Sequence, residues 1–179
     1  MSVSSTPEWA RGVSEGLAAA GCREIVYVPD NPLSHILRAL GEAHRDTRAT
    51  LATREEEAFG IAAGLYLGGA RPAVMLQSSG LGNSLNAIGS LLLPYEIPVL
   101  MIVSMRGEEG EWNAAQSPMG QAVRPILDAF GLPHVVVADA RSAAAAVRQS
   151  ADRAFASRRP VACLLPRALT NASNAGGGA

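Results

Sequence analysis

Two rhythms of apolar and polar residues take turns along this chain. Short runs rich in Val, Ile and Leu, bounded by Pro or Gly, have the pattern of buried strands. Between them, apolar residues recur at three- and four-residue intervals, as on one face of a helix. Read in order, the pattern predicts a helix over 7–20, with Thr6 as N-cap and Pro7 at the first helical position. A strand over 24–28 is stopped by Pro29, and a helix over 33–41 leads to a strand over 48–52. The next helix starts at Glu55 and ends near Gly68-Gly69; a strand over 73–77 then enters a helix over 79–92 through a Gly-rich turn. The run over 98–104 is the most apolar and is expected at the centre of a sheet. Helices over 119–130 and 140–156 alternate with strands over 134–137 and 160–165.

Strands joined by helices at this spacing predict a three-layer α/β/α fold on a mostly parallel sheet of about six strands. The expected organisation is a single domain over 7–168, a flexible N-terminus over 1–6 and a flexible, Gly-rich tail over 169–179. Ligands in such sheets sit beyond the carboxyl ends of the strands. The segments expected there are 29–31, 53–55, 77–83 and 105–116.

One of these segments carries a distinctive acid. At about 100° per residue, Ala58, Phe59, Ile61, Ala62, Leu65 and Tyr66 form one apolar stripe, and Glu55 falls within it. Glu56 and Glu57 project to the other side. By geometry alone, the three acids also read as a solvated run at the positive end of a helix dipole.

Composition narrows the classes. The chain is 48% apolar and only 17% charged, consistent with a surface partly covered by partners. A net charge of −1 and a pI near 6.3 give no electrostatic footprint for nucleic acid or an anionic membrane. All 15 basic residues are Arg, which excludes a Lys Schiff base and the Lys of a P-loop. Cys22 and Cys163 are isolated, and His35, His44 and His134 lack metal-ligand spacing, so no metal site is expected. No secretion signal and no apolar run of transmembrane length is evident, and a cytoplasmic chain is expected. Gly80-Leu81-Gly82 lacks the third Gly of a dinucleotide fingerprint. Gly12-Val13-Ser14-Glu15-Gly16 matches a nucleophile elbow but falls inside a predicted helix, where an elbow cannot form.

Several motifs together carry a family resemblance: Val28-Pro29, Glu55 with Gly64, and Gln77-Ser78-Ser79-Gly80-Leu81-Gly82-Asn83. Further along come Arg106-Gly107-Glu108-Glu109-Gly110-Glu111, Gln116-Ser117-Pro118-Met119-Gly120 and Leu127-Asp128-Ala129-Phe130-Gly131. On these, the chain over 21–165 resembles the α subunit of sulfopyruvate decarboxylase and the matching region of phosphonopyruvate decarboxylase. Both belong to the thiamine-diphosphate enzymes, and the resemblance is to their pyrimidine-binding domain. It implies one subunit of a decarboxylase converting 3-sulfopyruvate or 3-phosphonopyruvate to the aldehyde and CO2. Glu55 would be the catalytic acid that activates the aminopyrimidine of thiamine diphosphate. Ser79, Gly80, Gly82 and Asn83 would contact the cofactor beside Glu55, and Asp30, Asn31, Ser78 and Arg106 the substrate.

In that family the diphosphate and Mg2+ are held by a Gly-Asp-Gly segment with a downstream Asn. Here no Asp is followed by Gly. The resemblance therefore implies a separate β subunit carrying that segment and the Mg2+, in a hetero-oligomer of at least two α and two β chains, with the α chain inactive alone. Arg106 reads equally as an anion-binding fork or as the ion-pair partner of Glu108 or Glu111. Asp30-Asn31-Pro32 reads equally as a turn, and Trp112 as an interface anchor. Three alternatives stand beside the decarboxylase: a carboligase subunit with the same cofactor, a non-catalytic α/β binding or assembly module, and a lone nucleotide-binding domain.

Overall fold

The computed structural model describes residues 6–171. Among these, six strands form one sheet: β1 (Glu24–Tyr27), β2 (Arg48–Leu51), β3 (Pro72–Gln77), β4 (Leu100–Ser104), β5 (His134–Val136) and β6 (Val161–Leu165). Their order is β2-β1-β3-β4-β6-β5, and every pairing is parallel. The apolar run expected at the centre is β4, buried along its whole length between β3 and β6. At the edges, β2 is exposed throughout, and Val135 and Val136 of β5 are exposed.

Helices cover both faces. They are α1 (Glu8–Ala19), α2 (Asn31–Ala43), α3 (Glu55–Leu67), α4 (Ser78–Asn83), α5 (Leu85–Ala87), α6 (Ser117–Ala129), α7 (Ala143–Ser157) and α8 (Arg167–Asn171). Successive strand residues point to opposite faces, so Met75 and Ile102 join Leu17, Ile36 and Val147 in one core. Leu76 and Val103 join Phe59, Leu81, Val123 and Leu127 in the other. The Gly-x-Ser-x-Gly match lies inside α1, as its helical periodicity required. Its glycines serve packing: a Cβ on Gly16 would stand 2.6 Å from the Ala144 carbonyl oxygen, so α7 can approach α1 only over bare backbone.

The chain runs from β1 out to β2 and then returns to the far side of β1 as β3. The strand order therefore reverses between β1 and β3, the topological point where open α/β sheets bind ligands. The segments that follow β1, β2, β3 and β4 are the ones that carry the candidate chemistry.

Three local expectations need correction. Pro7, not Thr6, occupies the N-cap of α1; the Thr6 hydroxyl donates instead to Glu42, 3.2 Å away, and its carbonyl accepts from Arg11. No Gly turn precedes the helix after β3. Gly80 and Gly82 lie inside α4, and the run to Leu92 is broken into α4, α5 and a π turn at Ile88–Leu92. Residues 169–171, expected in the tail, belong instead to α8, which runs to Asn171 and buries Leu169 and Thr170. Most of the expected N-terminal segment, residues 1–5, and residues 172–179 of the tail lie outside the described residues.

Candidate active site

The start of α3 turns one acid inward and uses the other two outside. Arg54 is extended at the N-cap, Glu57 accepts a 2.7 Å hydrogen bond from the Thr53 amide, and Glu56 pairs with Arg54 at 3.3 Å. Glu57 thus caps an otherwise unpaired amide at the helix start. Glu55, on the apolar stripe, is 8% exposed. Among the described residues its carboxylate takes no ion pair or side-chain hydrogen bond. Gly80 of α4 lies directly against it: a Cβ there would stand 2.3 Å from Glu55 Cγ and 2.4 Å from Oε1. The carboxyl group is therefore held between the first turn of α3 and bare backbone of α4.

A second polar cluster forms where β1, β3 and β4 end. Asp30, just after β1, forms an ion pair with Arg106 and accepts a 2.6 Å hydrogen bond from the Ser104 hydroxyl. Both side chains are largely buried, at 7% and 17% exposed for Asp30 and Arg106. The Arg106 amide donates to the buried Ser78 hydroxyl at 3.1 Å. Arg106 is thus paired with an acid 76 positions away, and not with Glu108 or Glu111 of its own loop. Those two turn towards other cations: Glu108 accepts from Arg124 at 2.8 Å, and Glu111 pairs with Arg167 at 3.2 Å.

The loop between β4 and α6 is shaped by its glycines. Gly107 and Gly110 have φ of +70° and +79°, the left-handed region that favours glycine. A Cβ on Gly120 would fall 1.9 Å from the Arg106 carbonyl oxygen, so α6 can seat beneath this loop only with Gly at that position. Burial acts most strongly on Glu111 and pushes its carboxyl up. The Asn113 and Gly107 amides, then the Arg167 and Arg106 charges, outweigh it and hold the group below the usual carboxylate range.

Of the remaining residues singled out from the sequence, Ser79 is half-buried in α4, and a Cβ on Gly82 would stand 2.7 Å from the Met119 sulfur. Asn31 and Asn83 are exposed at the ends of α2 and α4. No hydrogen bond joins either side chain to Glu55 or to the Asp30–Arg106 pair among the described residues. Sequence reading missed Ser104 and Arg167. Both lie at the carboxyl end of a strand, Ser104 as the last residue of β4 and Arg167 two positions after β6. That position was the available signal. Trp112, 83% exposed, is the most exposed large apolar side chain of the loop.

Residues 8–122 match the model of the thiamine pyrophosphate enzyme, N-terminal TPP binding domain. The chain is 36% identical to the sulfopyruvate decarboxylase subunit alpha of Methanococcus maripaludis, over 87% of this chain and 93% of that one. It is 34% identical to the phosphonopyruvate decarboxylase of Streptomyces viridochromogenes, over 69% of this chain but only 31% of that longer one. Among solved structures, the 2-oxoglutarate:ferredoxin oxidoreductase from Magnetococcus marinus superposes with a TM-score of 0.69 at 13% identity. That match covers 88% of this chain and 28% of the larger one, and it shows a shared fold. A domain match across most of the chain, joined to alignment along nearly the whole length of an alpha subunit, means that this chain belongs to the thiamine pyrophosphate enzymes and, among them, to the sulfopyruvate decarboxylase alpha-subunit family.

Proposed function

We propose that this chain is the alpha subunit of a thiamine-diphosphate-dependent decarboxylase that converts a 3-sulfo 2-oxo acid to the aldehyde and CO2. The observation that carries the reading is Glu55: an acid 8% exposed as a residue, without an ion pair among the described residues, its side chain set against the bare backbone of Gly80. This acid stands at the ligand-binding end of the sheet. The acid suits a heteroaromatic ring nitrogen that must share a proton. Over 87% of its length the chain aligns with a sulfopyruvate decarboxylase alpha subunit, which favours the sulfonate over the phosphonate.

When bound, thiamine diphosphate supplies the carbon that takes up the 2-oxo group and accepts the electrons released with CO2. The protein's part is positional and acid–base. Glu55 holds a proton at the aminopyrimidine ring nitrogen. Gly80 and Gly82 let α4 pack closely on Glu55 and Met119, and Ser79 and Asn83 of the same helix would contact the cofactor. The Arg106 guanidinium, oriented by Asp30 and Ser104, faces the sulfonate, with Ser78 fixing its backbone. Asn31 lies at the outer rim.

The diphosphate and Mg2+ belong in this reading to a β subunit, with the cofactor between the two chains and at least two copies of each. The longer phosphonopyruvate decarboxylase is supportive, since this chain aligns with only 31% of it. Residues 7–168 act as one domain. The test is Glu55→Gln in the enzyme assembled with its partner. Turnover is expected to fall about 10²–10⁴-fold, the usual worth of a positioned proton-transfer group, with assembly intact. Turnover within twofold of the parent would refute the role of Glu55.

A further inference from the structure

Arg167 lies far from Glu55 in the chain, yet its side chain reaches the loop that carries Arg106. It is 6% exposed on its side chain, and its partner Glu111 is 4% exposed. Arg167 donates from Nη1 to Glu111 Oε2 at 3.2 Å and from Nη2 to the Gly110 carbonyl at 2.8 Å. Its backbone amide donates to Glu108 Oε2 at 2.8 Å. Glu111 in turn accepts from the Gly107 amide at 3.2 Å and from the Asn113 amide at 3.1 Å. The residue after Arg106 is therefore fixed by Glu111, and Glu111 is fixed by a residue 56 positions away at the end of β6.

A buried ion pair is a poor stabiliser compared with apolar residues of the same volume. Here it does something an apolar pair would not: it pins two left-handed glycines and the backbone between them. We propose that Arg167 and Glu111 are positioning residues for substrate recognition, which act by holding the Arg106 guanidinium where it meets the anionic group of the substrate. This rests on the reading of Arg106 as the sulfonate contact.

The test is steady-state kinetics on the assembled enzyme with 3-sulfopyruvate, for Arg106→Ala, Arg167→Ala, Glu111→Gln and the double variant Arg106→Ala/Arg167→Ala. Arg167→Ala and Glu111→Gln are expected to raise KM about tenfold, below the roughly 10²-fold that a 1 Å misplacement can cost. The affinity for thiamine diphosphate stays unchanged, since Glu55 lies on a different element. The double variant should be no worse than Arg106→Ala alone, because residues acting through one group are not additive. Loss of stability alone would not produce that pattern. Should Arg167→Ala fail to assemble, Glu111→Gln, which keeps its shape and one acceptor oxygen, carries the same comparison with Arg106→Ala.

Two results overturn the proposal, and they are distinguishable. If Arg106→Ala raises KM while Arg167→Ala and Glu111→Gln leave it at the parent value, or if the double variant is additive, Arg106 binds the anion without the clamp. If Arg106→Ala itself leaves KM unchanged, the sulfonate contact is wrong and the clamp has nothing to position.

Discussion

Replacing Gly80 with Ala isolates the geometry of the candidate site from the stability of the fold. The added Cβ would sit 2.3 Å from Glu55 Cγ, 2.4 Å from Oε1 and 2.5 Å from Cδ. Reaching ordinary contact near 3.5 Å requires an opening of about 1 Å. Gly80 is buried in α4 and packed on α3, so the cheapest response is for the Glu55 side chain to swing away. Two effects on stability oppose one another. Overpacking costs about 1–3 kcal/mol, whereas Gly to Ala inside a helix returns about 1 kcal/mol. The net loss is therefore small, about 0–2 kcal/mol. Catalysis has no such compensation, because a 1 Å misplacement costs about 10²-fold. The expected outcome is a melting temperature lowered by a few degrees and kcat lowered by about two orders of magnitude. Both are read on the assembled enzyme, by differential scanning calorimetry and by CO2 release. A variant with kcat within twofold of the parent and a stable fold would show that the position of the Glu55 carboxyl does not limit turnover, and the reasoning would fail.

Three further outcomes are expected. Gly120→Ala drives a Cβ to within 1.9 Å of the Arg106 carbonyl; backbone has to move, so it should cost about 2–3 kcal/mol in urea unfolding and raise KM more than kcat changes. Burial pushes the Cys22 thiol up to about 12 and the Cys163 thiol up to about 11, from 9.0. In the native protein both should resist a thiol reagent at pH 8 until the chain unfolds. The native state holds these protons where the unfolded chain releases them. Stability therefore falls as pH rises from about 9 towards the native values, and Cys22→Ala with Cys163→Ala should flatten that part of the unfolding profile. For Glu111 the direction is opposite, because its carboxyl is held below the usual range. Its contribution is present above the ordinary carboxylate pKa and lost as pH falls through the native value. Glu111→Gln should remove that acid-side step.

Much of this architecture was legible without coordinates. The change between strand and helix rhythms marked out the six strands, and the most apolar run is the fully buried β4. The phase of Glu55 on the apolar stripe of α3 separated it from Glu56 and Glu57, because helical periodicity is local and an acid on a buried face is conspicuous. Local chemistry was less decisive where two helix starts compete. Ser78 looked like part of a turn, but Gln77 is extended and α4 begins at once, so the glycines after it serve close packing against Glu55 and Met119.

The partners of the charges were not legible. Arg106 has Glu108 and Glu111 close by in sequence, yet its partner is Asp30, at the end of a strand brought alongside by the parallel order β1-β3-β4. Glu111 and Arg167 meet for the same reason, through the pairing of β4 with β6. Period and composition, which act over a few residues, determined which segments are strands and helices and placed Glu55 on the apolar stripe, while the family resemblance gave that acid its role. Strand order, which depends on long-range packing, alone decided which of fifteen arginines holds the loop, which acid orients Arg106, and why Gly80 and Gly120 admit no side chain.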